Sequence, residues 1–224
     1  MGGKLNGDGE MTEGRLEVGG EGPPEEAYGR VTDPGRFAPL HEFAERLLTT
    51  LEEKFAVRRE EGPGLADEVE GLARWSAVEQ RRAAEPGRAL EVSEPVLPRP
   101  TVRLTPAAED AAPIVVVFAL FPGLMVQMGK WQVEAFPRCG CDACAETASG
   151  ETARLSAMIE EVVGGGFREA LVMDPKLGLG MEVRYGTGSG RAGGIGRTLT
   201  ADAALEILGG RPRVDVLWKA WTRR

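Results

Sequence analysis

The chain has 224 residues, of which 31 are Gly and 15 Pro, so about a fifth of it is turn-forming, short of the range that marks a chain as low-complexity. Leu, Ile, Val and Phe number 51, enough to build a core. The formal charge of −8, from 27 basic and 35 acidic side chains, argues against general attraction to a phosphate backbone.

Residues 1–26 carry eight Gly, no aromatic side chain and seven acidic groups against Lys4 and Arg15. Such a segment cannot bury enough apolar surface to offset its ordering entropy, which predicts a disordered acidic tail. Met11 is an alternative start. The N-terminus has no apolar signal core, and the most apolar run, Ile114 to Phe121, is eight residues, far below the roughly 20 needed to span a bilayer. A cytoplasmic location is expected, with no membrane partner.

Order is expected from Tyr28, with Thr32-Asp33-Pro34 as a helix-start signal. Leu40, Phe43, Ala44, Leu47, Leu48, Leu51 and Phe55 recur at three- and four-residue steps, predicting a helix from about Pro39 to Phe55, and Gly62-Pro63-Gly64 ends whatever follows that helix. Residues 65–82 predict a short interrupted helix, followed by a long connection. From Arg99 the period changes to two. Val102 and Leu104, the run 114–121, Leu124 to Met128, and Trp131 to Ala135 predict four strands of an antiparallel meander, with 114–121 central because both its faces are apolar. A second helix is expected from Asp142, as N-cap, to about Val163, where three glycines stop it. Met181 to Tyr185 then reads as a strand, residues 186–196 as a glycine-rich loop, residues 200–209 as a short helix capped by Thr200, and Val214 to Trp218 as a last strand. The fold class that follows is α+β, two-layer, with helices packed on an antiparallel meander. Residues 27–224 form one domain, with a surface insertion at about 73–98.

The densest chemical signal is Cys139-Gly-Cys141-Asp-Ala-Cys144. Three soft ligands within six residues can chelate one Zn²⁺, because Gly140 allows a tight turn and the two-residue gap matches a zinc knuckle. The sole histidine, His41, is the candidate fourth ligand; Asp142, Glu146, water or a partner chain are the alternatives. The plain alternative is that the thiols are small reduced hydrophobes and His41 a half-buried helix residue. Cys141 to Cys144 also forms a CxxC at a helix start, which would suit thiol exchange, but no thioredoxin-like context precedes it. Iron–sulfur binding lacks a fourth Cys. Gly188 to Gly193 fits GxGxxG without the helix that dinucleotide binding needs at the glycines. No GxSxG elbow is present. Glu134, beside Trp131, is the carboxylate best placed for a shifted pKa. Trp218 and Trp221, interleaved with Arg211, Arg213, Lys219, Arg223 and Arg224, could stack on nucleic acid, though such tryptophans more often complete a core edge.

The segments YGRVTDPGRFAPLH (28–41), RPTVRLTP (99–106), FPGL (121–124) and AFPRCGCDACAET (135–147) together resemble an uncharacterised actinobacterial domain family of unknown function, over about residues 27–222. The resemblance implies that the histidine and cysteine segments share one domain, and it carries no activity. Two classes of function stay open: a binding or scaffold protein with a structural zinc site, partnered by another protein, or a metal-assisted hydrolase or thiol-dependent oxidoreductase using the same cysteines.

Overall fold

The computed structural model describes residues 22–67, 69–70, 72–73, 97–174, 178–186 and 200–224. Residues 1–21 of the tail expected over 1–26, most of the expected insertion and the GxGxxG segment lie outside the described residues; the end of that expected tail is ordered into a 3₁₀ turn at Glu25–Ala27, with Ala27 buried. After a 3₁₀ turn at Pro34–Phe37, helix α1 (Pro39–Lys54) forms where the apolar spacing places it, with Leu40, Ala44, Leu48 and Leu51 buried on one face. The Thr32-Asp33-Pro34 signal starts the 3₁₀ turn and makes no side-chain cap there.

Strands β1 (Val57–Gly62), β2 (Thr101–Pro106), β3 (Ile114–Phe118), β4 (Leu124–Met128) and β5 (Gln132–Phe136) form an antiparallel sheet in sequence order. β3 is central, as its apolar run implies, and every one of its residues is buried. One face packs into the main core with α1. The other side contributes Val117 and Ala119, which meet Val69 and Ala73 from a helical segment and Leu97.

The expected strands β2 to β5 are all present, but β1 was not anticipated. Its sequence, VRREEG, has no apolar alternation because it is an edge strand whose side chains pair with charges on α1: Arg59 reaches Glu45 at 3.3 Å and Glu52 at 3.8 Å. Charged edge strands resist unwanted pairing.

Helix α2 (Ala148–Gly164) packs against α1 and leads into a second antiparallel sheet of β6 (Phe167–Asp174), β7 (Gly178–Tyr185) and β8 (Arg213–Leu217), in the order β7-β6-β8. Helix α3 (Ala201–Leu208) precedes β8 and is capped by Thr200 through the Ala203 amide. The central strand β6 was also not anticipated. Its inward positions are Phe167, Glu169 and Leu171, and a buried carboxylate between two hydrophobes breaks the pattern that would mark a strand.

The two sheets share one hydrophobic core through Met128, Trp131, Phe167, Leu171, Met181 and Trp218. The expected start of α2 at Asp142 is corrected: Asp142–Cys144 is a 3₁₀ turn, Ala145 is left-handed at φ 50°, and Thr147 is the N-cap, accepting from the Gly150 amide.

Trp218 and Trp221 are buried, donating to Glu169 and to the Ala112 carbonyl respectively, so their rings complete the core. Asp215 on β8 is held by Arg213, at 2.7 and 2.8 Å, and by Arg168, and the Arg213 hydrogen bonds lead in drawing its pKa down to about 2. A lowered folded pKa means stability that is present above the unfolded value of about 4 and is lost as pH falls toward 2. Asp215→Asn is expected to flatten that acid limb. Equal slopes of urea midpoint against pH for both proteins between pH 4 and 2 would refute it.

Candidate metal centre

The cysteine loop is built by two carboxylates. The chain leaves β5 through Phe136 and turns at Gly140, whose φ of +75° suits glycine; a Cβ there would lie 2.9 Å from Phe121 Cζ. Glu146 then reaches back to accept from the amides of Arg138 (3.2 Å), Cys139 (3.2 Å) and Gly140 (2.6 Å), closing the loop on itself. Asp142 points the other way. It accepts from Arg30 Nε (3.2 Å), the Thr32 amide (3.0 Å), the Thr32 hydroxyl (2.5 Å) and Arg36 Nη1 (3.4 Å). Arg36 Nη2 donates to the carbonyls of Gly140 (2.7 Å) and Cys141 (3.2 Å), and the Asp142 amide donates to the Arg30 carbonyl (2.8 Å). Residues 29–36 are thus strapped across the loop.

These constraints bring the three sulfurs together, all within 4.8 Å of one another. Those of Cys141 and Cys144 are 3.3 Å apart. A tetrahedral zinc with bonds of about 2.3 Å places sulfurs about 3.8 Å apart, so small side-chain adjustments would seat an ion. Cys141 is 2% exposed, while Cys139 and Cys144 are exposed. The neighbouring Cys139 thiol and then the Gly29 amide draw the Cys141 pKa down against the opposing effect of burial. Cys141 and Cys139 in turn push the Cys144 thiol up. A negative charge is therefore easier to place on Cys141 than on Cys144, and a shared cation would favour thiolate at both.

His41 lies elsewhere. Its Nε2 is 2.9 Å from the Gly123 carbonyl and must carry the proton there, and its ring meets Phe118 edge-on at 5.3 Å. Burial lowers its pKa, with the Gly123 bond opposing. Among the described residues the group that could hold an ion is the three cysteines, and His41 is outside it. Between Gly123, which holds His41, and Gly140 of the loop lie the Phe121 and Pro137 side chains, which neighbour both glycines. Glu134 is committed to structure as well, pairing with Arg154 (3.1 Å) and Arg138 (3.7 Å) and accepting from Gln132 Nε2 (2.7 Å). An open cavity of about 450 Å³ lies apart from the loop, along Val57, Arg58, Thr105, Pro106 and Arg224.

Sequence reasoning missed the roles of Gly29, Arg30, Thr32 and Arg36. They sit more than 100 residues from the cysteines, and the only hint was that both segments carried the resemblance. Asp142 has its pKa driven well below the usual carboxylate range, first by the Thr32 hydroxyl and amide and then by the arginines. Its contribution is present above pH 4 and is lost as pH falls below that. Asp142→Asn is expected to release the strap at neutral pH, read as faster hydrogen exchange at the Thr32 amide; unchanged protection would sink this role.

The chain belongs to a family of unknown function, DUF6226, whose model matches residues 9–224. The match starts inside the acidic tail, further toward the N-terminus than the resemblance reached. No curated protein and no solved structure matches the chain. Among the described residues, no helix is long and apolar enough to cross a membrane.

Proposed function

We propose, with membership of that family as the premise, that this chain is a binding or scaffold protein of a reducing, cytoplasmic compartment. Its cysteine loop holds one soft divalent ion, zinc by preference, as a structural cross-link. The observation that carries this reading is the convergence of three sulfurs within 4.8 Å in a loop closed by Glu146 and clamped by Asp142. Thiolate sets of this kind favour zinc over hard cations. The ion would stiffen the loop on which residues 29–36 dock, and so hold that segment to the end of the meander.

The hydrolase reading is less well supported. A carboxylate beside a metal-bound water would serve as its general base, and both carboxylates of the loop are engaged, Asp142 by arginines and a threonine, Glu146 by backbone amides. Thiol exchange has the close Cys141–Cys144 pair in its favour, but the thiol favoured to ionise is the buried one, where an incoming disulfide has least access.

The test is elemental analysis of protein purified without chelator, together with thiol titration before and after metal removal. One zinc per chain, and three thiols that become reactive only when it is stripped, is the expected result. No bound metal with three freely reactive cysteines would end the proposal.

A further inference from the structure

We infer that the centre has an exchangeable fourth position, filled from solution, and that its preferred occupant is a small-molecule thiolate. This rests on the reading of the loop as a metal centre. The full sequence holds three cysteines and one histidine, so His41 is the sole further nitrogen or sulfur side chain of the kinds that ligate zinc. Its Nε2 is bound to the Gly123 carbonyl, and it is not in the group formed by the sulfurs.

Among the described residues, the two carboxylates of the loop are already used. Asp142 receives four hydrogen bonds and Glu146 three, and turning either toward an ion would dismantle the loop that gathers the sulfurs. The cluster is also open to solvent on the side of Cys139 and Cys144. Three thiolates on a divalent ion carry a net charge of −1, and a soft ion already bound by sulfur favours a fourth sulfur.

Three guanidinium groups border the loop: Arg30 and Arg138 are 57% and 65% exposed, and Arg36 lies against its carbonyls. Asp142, Glu146 and Glu134, the last paired with Arg138, match them in number, so an added thiolate meets cationic side chains at the rim and no surplus of carboxylates. A small thiolate can reach an open vertex flanked by such side chains. The bond formed is sulfur to metal; a water leaves, and the thiol proton goes to solvent, so no oxidant or reductant is needed.

Cobalt(II) substitution of the whole chain tests this, with 2-mercaptoethanol as the probe. Cobalt bound by three sulfurs and an oxygen should show ligand-field bands that change saturably, with one equivalent of thiol bound per metal and the metal retained. His41→Ala should leave the resting spectrum unchanged and the half-saturation within about twofold. A spectrum insensitive to thiol, a resting spectrum altered by His41→Ala, or a doubling of molecular mass on metal loading would overturn the inference while leaving the metal centre in place. A chain that takes up no cobalt or zinc overturns both readings, and the wild-type titration decides even if the variant does not fold.

Discussion

Glu169→Gln is expected to destabilise the fold by about 3 to 5 kcal/mol. Glu169 is fully buried on β6 and accepts four hydrogen bonds, from the amides of Lys130 (2.9 Å), Trp131 (2.7 Å) and Gln132 (2.9 Å) and from Trp218 Nε1 (2.8 Å). Burial pushes its pKa up while the four donors oppose that shift. Glutamine keeps the shape but presents an NH₂ to two of the donors. Each buried donor left unsatisfied costs about 1 to 3 kcal/mol, and bonds to a charged acceptor are stronger than neutral ones.

The damage is not local, because the carboxylate ties the second sheet to the β4–β5 turn of the first. Gly129 begins that turn at φ +68°, and a Cβ there would overlap the Glu169 carboxylate and lie 2.8 Å from Trp218 Nε1. Gly129→Ala should therefore resemble Glu169→Gln in direction. For a chain of this size the glutamine variant should melt roughly 10 °C lower, with an unchanged urea m-value. A loss under about 1 kcal/mol would show that the four bonds do not hold the sheets together.

Saturating the cysteine loop with zinc at about a hundred times its Kd should stabilise the chain by about 2.7 kcal/mol, or roughly 5 to 10 °C in Tm. Cys141→Ala should abolish the increment and lower metal affinity by about 100-fold or more, since losing a direct ligand exceeds the loss expected for a supporting residue. The useful quantity is the difference between metal-loaded and stripped protein for each variant. Removing the buried Cys141 side chain leaves a small void of its own, and that cost is common to both states. Equal melting points with and without zinc for the wild-type chain would contradict a cross-linking role.

The elements that were legible are those whose pattern answers to their own burial. α1 has one apolar stripe, β3 is apolar on both faces, and Thr200 and the glycines after α2 and α3 punctuate helices by local chemistry. β1 and β6 were hidden because what satisfies them is distant: Arg59 of β1 needs Glu45 and Glu52 of α1, and Glu169 of β6 needs a turn 37 to 39 residues away and Trp218. A charged side chain in a strand reads as solvent-facing until its partner is placed beside it.

By itself the sequence determined the α+β class, the central meander strand and the grouping of the three cysteines, since these depend on periodicity and on spacing within six residues. Only the tertiary structure decided that Asp142 is a clamp where a helix cap or ligand was expected, that Glu146 closes the loop, that His41 turns to Gly123, and that Arg36 of the N-terminal strap donates to the Gly140 and Cys141 carbonyls. The physical reason is that a polar atom's role depends on which partner satisfies it. For Asp142 and His41 that partner lies more than 80 residues away and folding supplies it, whereas Glu146 bonds amides six to eight residues back, where the turn at Gly140 decides the approach.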